Sequence, residues 1–351
     1  MGLTSRGLEL LLAVGAVLAP VVLVLLWNRL RGRAVLRIVQ RIGLVVVAQG
    51  TAVLLCFVVV NDRNVFYASW NDLLGATPAA PPIVSTSTTA ASGSRMLDIR
   101  NFTGPVSHVR AQVLVRLPPE YDQPAYATHR FPVVLFLNGW GGYPTAWQRG
   151  LNAVSELDRL EASHQVQPFV AVFPSVNIAL PRDTECTDVP HGPKAESWLA
   201  RDVPTLVRSR FRVLSAPGSW GSVGYSTGGY CAAKLSLLHP QTFGPAVVIS
   251  GYFEAVKDSD TGDLWGGSAT VRQHNDLTWV AAHQALPNAD LLVFASKQDQ
   301  DSYASTQTFL RTSRPPLRTF SQVADQGGHN LREMRKALPS MLMWLSAHLT
   351  P

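Results

Sequence analysis

The stretch Trp220–Tyr230 reads WGSVGYSTGGY and runs on into CAAKLSLLH, Cys231–His239. An apolar run ends in glycine, a serine stands between two glycines, and a helical pattern begins at once. Gly224-Tyr225-Ser226-Thr227-Gly228 is therefore a G-x-S-x-G pentapeptide set directly between a strand and a helix. The pentapeptide alone is a weak signal. That setting makes it a nucleophile elbow, in which the serine takes a strained conformation and the flanking glycines let strand and helix pack closely. The Ser226 hydroxyl then sits at a helix N-terminus, where the dipole favours developing negative charge.

On both sides of the elbow, short apolar runs alternate with helical patterns. Arg110–Leu117 (RAQVLVRL), Phe131–Leu137 (FPVVLFL), Phe169–Phe173 (FVAVF), Trp220–Gly224, Ala246–Ser250, Leu291–Ser296 (LLVFAS) and Leu317–Val323 read as strands. Ala153–Ser163, Glu196–Phe211, Gly229–His239, Thr278–Ala285 and Leu331–Leu349 read as helices. Near-continuous apolar strands are what a sheet covered on both faces requires, and the alternation implies a mainly parallel, doubly wound α/β sheet. One domain is expected over residues 96–351.

A serine nucleophile needs a base, and the base needs an orienting acid. In this arrangement they follow in the order Ser, Asp, His, each just beyond a strand. Of nine histidines, His329 holds that slot, in the glycine-bearing loop Asp325-Gln326-Gly327-Gly328-His329-Asn330 between a strand and the last helix. Asp299 and Asp301 both follow the Leu291–Ser296 strand; Asp299 is nearer the strand end, and Asp301 is the alternative acid. An oxyanion hole needs two backbone N–H groups. Thr227, which follows the nucleophile, supplies one, and the loop Asn138-Gly139-Trp140-Gly141-Gly142 after Phe131–Leu137 supplies the other. Four tryptophans near these motifs, Trp140, Trp147, Trp198 and Trp265, are candidates to line an acyl groove.

The stretch YSTGGYCAAKLSLLHPQTFGPAVVISGYF resembles the esterase D-like family of α/β-hydrolases, which includes S-formylglutathione hydrolases and mycobacterial trehalose mycolyltransferases. LFLNGWGG, DLWGGS (Asp263–Ser268), GGHN and LPSMLMWL carry the same resemblance, which covers roughly Val113–Leu349. It implies an α/β-hydrolase fold and acyl chemistry without a cofactor. By analogy with the mycolyltransferase loop D-G-L, whose last N–H faces the oxyanion, it assigns the second oxyanion donor to Trp140. Asn138 stands here where that branch has an acid.

The chain has 351 residues and a net charge of +6, with only 15% charged residues. Ordinary soluble proteins carry about 25%. Six arginines (Arg6, Arg29, Arg31, Arg33, Arg37, Arg41) against Glu9 place five of the six net charges before Asn61. The basicity thus belongs to the N-terminus and is not a nucleic-acid footprint. Leu8–Trp27 and Ile42–Val60 are apolar runs of about 20 residues, the length of a membrane span. The reading is an anchor of two transmembrane helices over residues 1–61. A juxtamembrane segment and an Ala/Pro/Ser/Thr linker then fill 62–95. Phe66, Tyr67 and Trp70 are placed at the membrane interface, and the tether proper runs from Ala76 to Ser94. The arginines between the spans orient that loop to the cytoplasm and the large domain to the outside.

In an oxidising compartment Cys186 and Cys231, which both flank the expected site, are candidates for a disulfide. No Cys/His pattern has zinc spacing and no dinucleotide or phosphate-loop glycine motif is present, so no cofactor or metal is expected. The expected activity is a membrane-anchored serine esterase with an ester or acyl-lipid substrate. The alternatives are acyl transfer to an envelope hydroxyl and a non-catalytic tethered binding domain. No nucleic-acid partner is expected.

Overall fold

Each central apolar run becomes a strand because both of its faces can be covered. In the computed structural model, residues 5–64, 70, 93–325 and 328–351 are described. Eight strands form one sheet: β1 (Arg95–Thr103), β2 (Arg110–Leu117), β3 (Val133–Leu137), β4 (Val170–Pro174), β5 (Trp220–Tyr225), β6 (Ala246–Ile249), β7 (Asp290–Ser296) and β8 (Arg318–Ala324). Their order is β1-β2-β4-β3-β5-β6-β7-β8. The first two pairings are antiparallel and the other five parallel. Every residue of β3 to β7 is buried.

Alternation of side chains along the strands splits the interior into two layers, one on each face. Val133, Leu135 and Leu137 pack with Trp198, Trp220, Tyr230 and Phe253. Val134 and Phe136 pack with Trp147, Phe169, Met341 and Leu345 of the other layer. Trp147 and Trp198 are thus core residues, fully buried, and not part of an acyl groove. Arg116 of β2 is also fully buried, bonded to Asp158 and Glu161 of the helix Ala153–Ala162.

Two of the longer elements are absent from the sequence reading. β1 escapes it because Arg95, Asp98 and Arg100 interrupt its apolar pattern; Asp98 bonds Arg100 and Gln112 at 2.7 Å each on this half-covered edge. The helix Gln300–Thr312 is missed because its inward face is mostly hydroxyls: Ser302, Thr306 and Phe309 are its buried residues. Phe309 stacks on Phe253 with centroids 3.9 Å apart.

Near the N-terminus, helices α1 (Arg6–Trp27) and α2 (Ala34–Asn64) are long and apolar enough to cross a membrane. α2 begins eight residues before the apolar run that signalled it, so Arg37 and Arg41 ride on its first turns. The Arg41 guanidinium lies 4.7 Å from the Trp27 ring centroid and donates to the Trp27 carbonyl at 3.1 Å. Phe66, Tyr67 and residues 71–92, which hold most of the expected tether, lie outside the described residues.

Removing one partner of a buried ion pair leaves an uncompensated charge and costs about 3–5 kcal/mol. Arg116→Ala is expected to lower the Tm of the full chain in detergent by roughly 10 °C. A shift within 2 °C, as for a surface substitution of about 0.5 kcal/mol, would show that Arg116 does not hold this layer.

Candidate active site

At the elbow the backbone has almost no space. Ser226 adopts φ 56° and ψ −129°, a left-handed conformation that costs a non-glycine residue energy and is kept only where the surroundings enforce it. A Cβ on Gly224 would lie 1.9 Å from the Gly228 carbonyl oxygen, and one on Gly228 would lie 2.1 Å from that of Leu137. Both glycines of the pentapeptide are therefore required by contact. The Ser226 N–H donates to the Ile249 carbonyl at 2.9 Å, and its own carbonyl accepts from Gly229 at 2.8 Å.

Because β5 to β8 run parallel, the residues that follow them gather at one sheet edge. Ser226 follows β5, Asp299 lies just beyond β7, and His329 beyond β8. His329 Nδ1 and Asp299 Oδ2 are 2.8 Å apart, with the carboxylate side chain 9% exposed and the imidazole 41%. Asp301 sits in the first turn of the helix Gln300–Thr312 and lines a cavity, leaving His329 to Asp299. Among the described residues, hydrogen bonds join His329 to Asp299 but not to Ser226. Contacts of that kind tighten when substrate binds. Gln326 and Gly327, in the loop leading to His329, lie outside the described residues.

The loop after β3 abuts Ser226: a Cβ on Gly139 would come within 3.0 Å of the Ser226 Cβ. The Gly139 carbonyl accepts from Asn138 Nδ2 at 2.9 Å, Asn177 Nδ2 at 3.1 Å and the Gly142 N–H at 3.1 Å. In a trans peptide the carbonyl and the next N–H point in opposite directions. Three donors on Gly139 therefore fix the Trp140 N–H facing away from them. Asn177, which also donates to the Gly142 carbonyl at 2.7 Å, is marked by no motif in the sequence.

A buried polar cluster lies behind the elbow helix Thr227–Leu238. Cys186 and Cys231 are joined in a disulfide, with Cα atoms 5.8 Å apart. Beside it, Glu185 accepts a hydrogen bond from Tyr252 at 2.6 Å, and the same hydroxyl lies 2.9 Å from Thr227 Oγ1. Burial, reinforced by the neighbouring Asp183 charge, pushes Glu185 up to about 8; burial likewise raises Asp183 to about 6. Further along the helix, Lys234 Nζ meets Glu196 at 2.8 Å and the Cys186 carbonyl at 2.7 Å, while His239 and His274 both face the other Glu196 oxygen. Burial alone would raise Glu196, but Lys234 and the two histidines outweigh it and hold that carboxylate well below its usual range. The sequence carries faint signals of this cluster: one lysine in an otherwise apolar helix, and acids around Cys186 in RDTECTD. A cavity of about 530 Å³ opens among Tyr252, Glu254, Lys257, Trp265, Arg272 and Asp301. Trp265 is the tryptophan of the four that borders it.

Thiol titration of the denatured chain is expected to find one thiol, Cys56, without reductant and all three cysteines after reduction. Three thiols before reduction would contradict the Cys186–Cys231 pairing.

The family model described as "Putative esterase" matches residues 108–345. An uncharacterized protein of Corynebacterium glutamicum is 25% identical over 243 residues, 66% of this chain. The alignment spans 55% of that relative's length. Among solved structures, an S-formylglutathione hydrolase from Agrobacterium tumefaciens superposes with a TM-score of 0.61 at 16% identity, over 74% of this chain and 98% of that one. A ferulic acid esterase gives 0.60 at 18% identity, over 72% and 97%. A substrate-bound, fluorophosphonate-binding serine hydrolase of Staphylococcus aureus gives 0.57 at 19%, over 72% and 98%. These likenesses identify the fold as that of an α/β-hydrolase.

Proposed function

The chain belongs to the esterase family whose model spans its large domain, and on that premise we propose that it is a membrane-anchored serine carboxylic-ester hydrolase. The observation that carries the reading is the Asp299–His329 pair at 2.8 Å on the sheet edge that also presents the strained Ser226. Ser226 Oγ attacks the acyl carbonyl while His329 Nε2 takes its proton. Asp299, on Nδ1, holds the tautomer and stabilises the imidazolium that forms. Negative charge on the carbonyl oxygen is met by the N–H groups of Thr227 and Trp140, the latter oriented by Asn138 and Asn177. Collapse of the tetrahedral intermediate expels the alcohol, protonated by His329, and leaves an acyl-enzyme. Water, activated by the same histidine, then releases the acid. A pseudo-enzyme kept only for binding would have no need of the strained serine together with its paired acid and base. Transfer to an acceptor hydroxyl shares every step up to the acyl-enzyme.

Two further readings belong to the same proposal. α1 and α2 hold the domain at a bilayer, where an ester or acyl-lipid is at hand. The arginines between them orient it away from the cytoplasm, in keeping with the Cys186–Cys231 disulfide.

The full chain in detergent is expected to label with a fluorophosphonate probe, and Ser226→Ala to abolish labelling. His329→Ala and Asp299→Asn should each lower hydrolysis of a p-nitrophenyl ester by about 10³–10⁴-fold, and Asp301→Asn far less than either. Absence of labelling in the intact protein would overturn the enzymatic reading. Product released as a new ester when a simple alcohol is added, rather than as free acid, would move the assignment to acyl transfer. For orientation, protease added to intact spheroplasts expressing the chain should digest residues 96–351; protection of that region would overturn the outside placement.

A further inference from the structure

Three oxygens stand in a row behind the nucleophile: Glu185 Oε1, the Tyr252 hydroxyl at 2.6 Å, and Thr227 Oγ1 a further 2.9 Å on. The Tyr252 hydroxyl has a single proton and so donates in one direction at a time. With Glu185 ionised, Tyr252 donates to the carboxylate and accepts from the Thr227 hydroxyl, which is then committed. With Glu185 protonated on Oε1, the carboxylic acid donates to Tyr252, Tyr252 donates to Thr227, and the Thr227 hydroxyl proton is released for another acceptor. We propose that Glu185 is a positioning residue whose protonation sets the direction of this chain, and that the protonated form frees the Thr227 hydroxyl to donate toward the oxygen of the reacting ester. The inference rests on the esterase reading for its consequence but not for the chain itself.

The surroundings build this device rather than merely permit it. Glu185 is 2% exposed and Thr227 3%. Glu185 has φ 48° and the next residue, Cys186, has φ 46°, two consecutive strained positions secured by the disulfide to Cys231 in the elbow helix. The Glu185 N–H donates to Asp183 at 2.9 Å. Glu185 Oε2 is buried with no hydrogen-bond partner among the described residues, and the Val256 N–H and the Asp183 side chain are the polar groups that bear on the carboxyl. The charged groups turned toward Glu185 are Asp183 on its own loop and Asp258 on the segment after β6. Asp260 reinforces the same field through Asp183. Tyr252 and Tyr230, stacked with centroids 5.6 Å apart, close the remaining sides. Lys234, the nearby cation, is engaged with Glu196, the Cys186 carbonyl and Asn275. Burial, and after it the neighbouring carboxylates, favour the neutral acid, with the ionisation raised to about 8.

Below about 8 the acid is neutral and Thr227 is free; above it, the carboxylate draws the chain the other way and the site loses a donor. The test is the pH profile of kcat/KM for hydrolysis of p-nitrophenyl butyrate by the full chain in detergent, with Ser226→Ala as the blank. The wild type should show an alkaline fall on the order of tenfold, the loss of one neutral hydrogen bond to developing charge. Glu185→Gln, whose amide donates permanently to Tyr252, and Tyr252→Phe, which cuts the chain, should each abolish that fall, whatever they do to the height of the profile. The same alkaline midpoint in Glu185→Gln would overturn the proposal. A chain with no ester hydrolysis would sink the esterase reading instead, and the proton chain would then be read by infrared difference spectroscopy. The wild-type minus Glu185→Gln spectrum should contain a protonated carboxylic-acid carbonyl band at neutral pH that vanishes on alkalinisation. Absence of that band at neutral pH would overturn the proton chain irrespective of activity.

Discussion

The tightest constraint in this molecule is the backbone contact at Gly224 and Gly228. Strand β5, the helix that follows it and the end of β3 converge there until carbonyl oxygens stand where Cβ atoms would be. That convergence forces Ser226 into its left-handed conformation and sets Gly139 against it. The strained serine and the loop set against it are thus consequences of one packing event. A strained serine is stable only in a rigid frame, and the fully buried strands β3 to β7 supply it.

Behind the elbow, the frame is partly polar. The helix Thr227–Leu238 packs Ala232, Ala233, Leu235 and Leu237 into the apolar layer, and Lys234 against Glu196, a disulfide and the Tyr252–Thr227 contact add ties to it. Buried polar networks are costly when incomplete and specify geometry strongly when satisfied. Here the network meets the helix at Thr227, the residue after Ser226.

Much of this was legible in the sequence, for physical reasons that differ by element. The central strands announced themselves because burial on both faces demands continuous apolar residues. Ser226, Asp299 and His329 could be placed because the fold fixes their order and each follows a strand; the geometry pairs His329 with Asp299 and leaves Asp301 at a cavity wall. β1 and the helix Gln300–Thr312 were silent because an edge strand tolerates charges and a helix can bury hydroxyls as well as methyls. Trp147 and Trp198 misled for the opposite reason, since large aromatics near a motif in sequence are more often beneath it than beside the substrate. Asn177, Glu185 and Tyr252 reach the elbow and its neighbouring loop through tertiary contacts with residues distant in the chain, and periodicity holds no trace of such contacts. The surplus of positive charge, once resolved along the chain, describes α1, α2 and the turn between them and leaves the hydrolase domain nearly neutral.

Every step of the proposed hydrolysis passes through covalent acylation of Ser226. The full chain in detergent, mixed with a p-nitrophenyl ester and quenched in acid within its first turnovers, should carry one added acyl mass. Tandem mass spectrometry should place that mass on the peptide containing Ser226. An acyl group found on another residue, or ester turnover with no covalent adduct in a quench fast enough to catch p-nitrophenol release, would contradict the account.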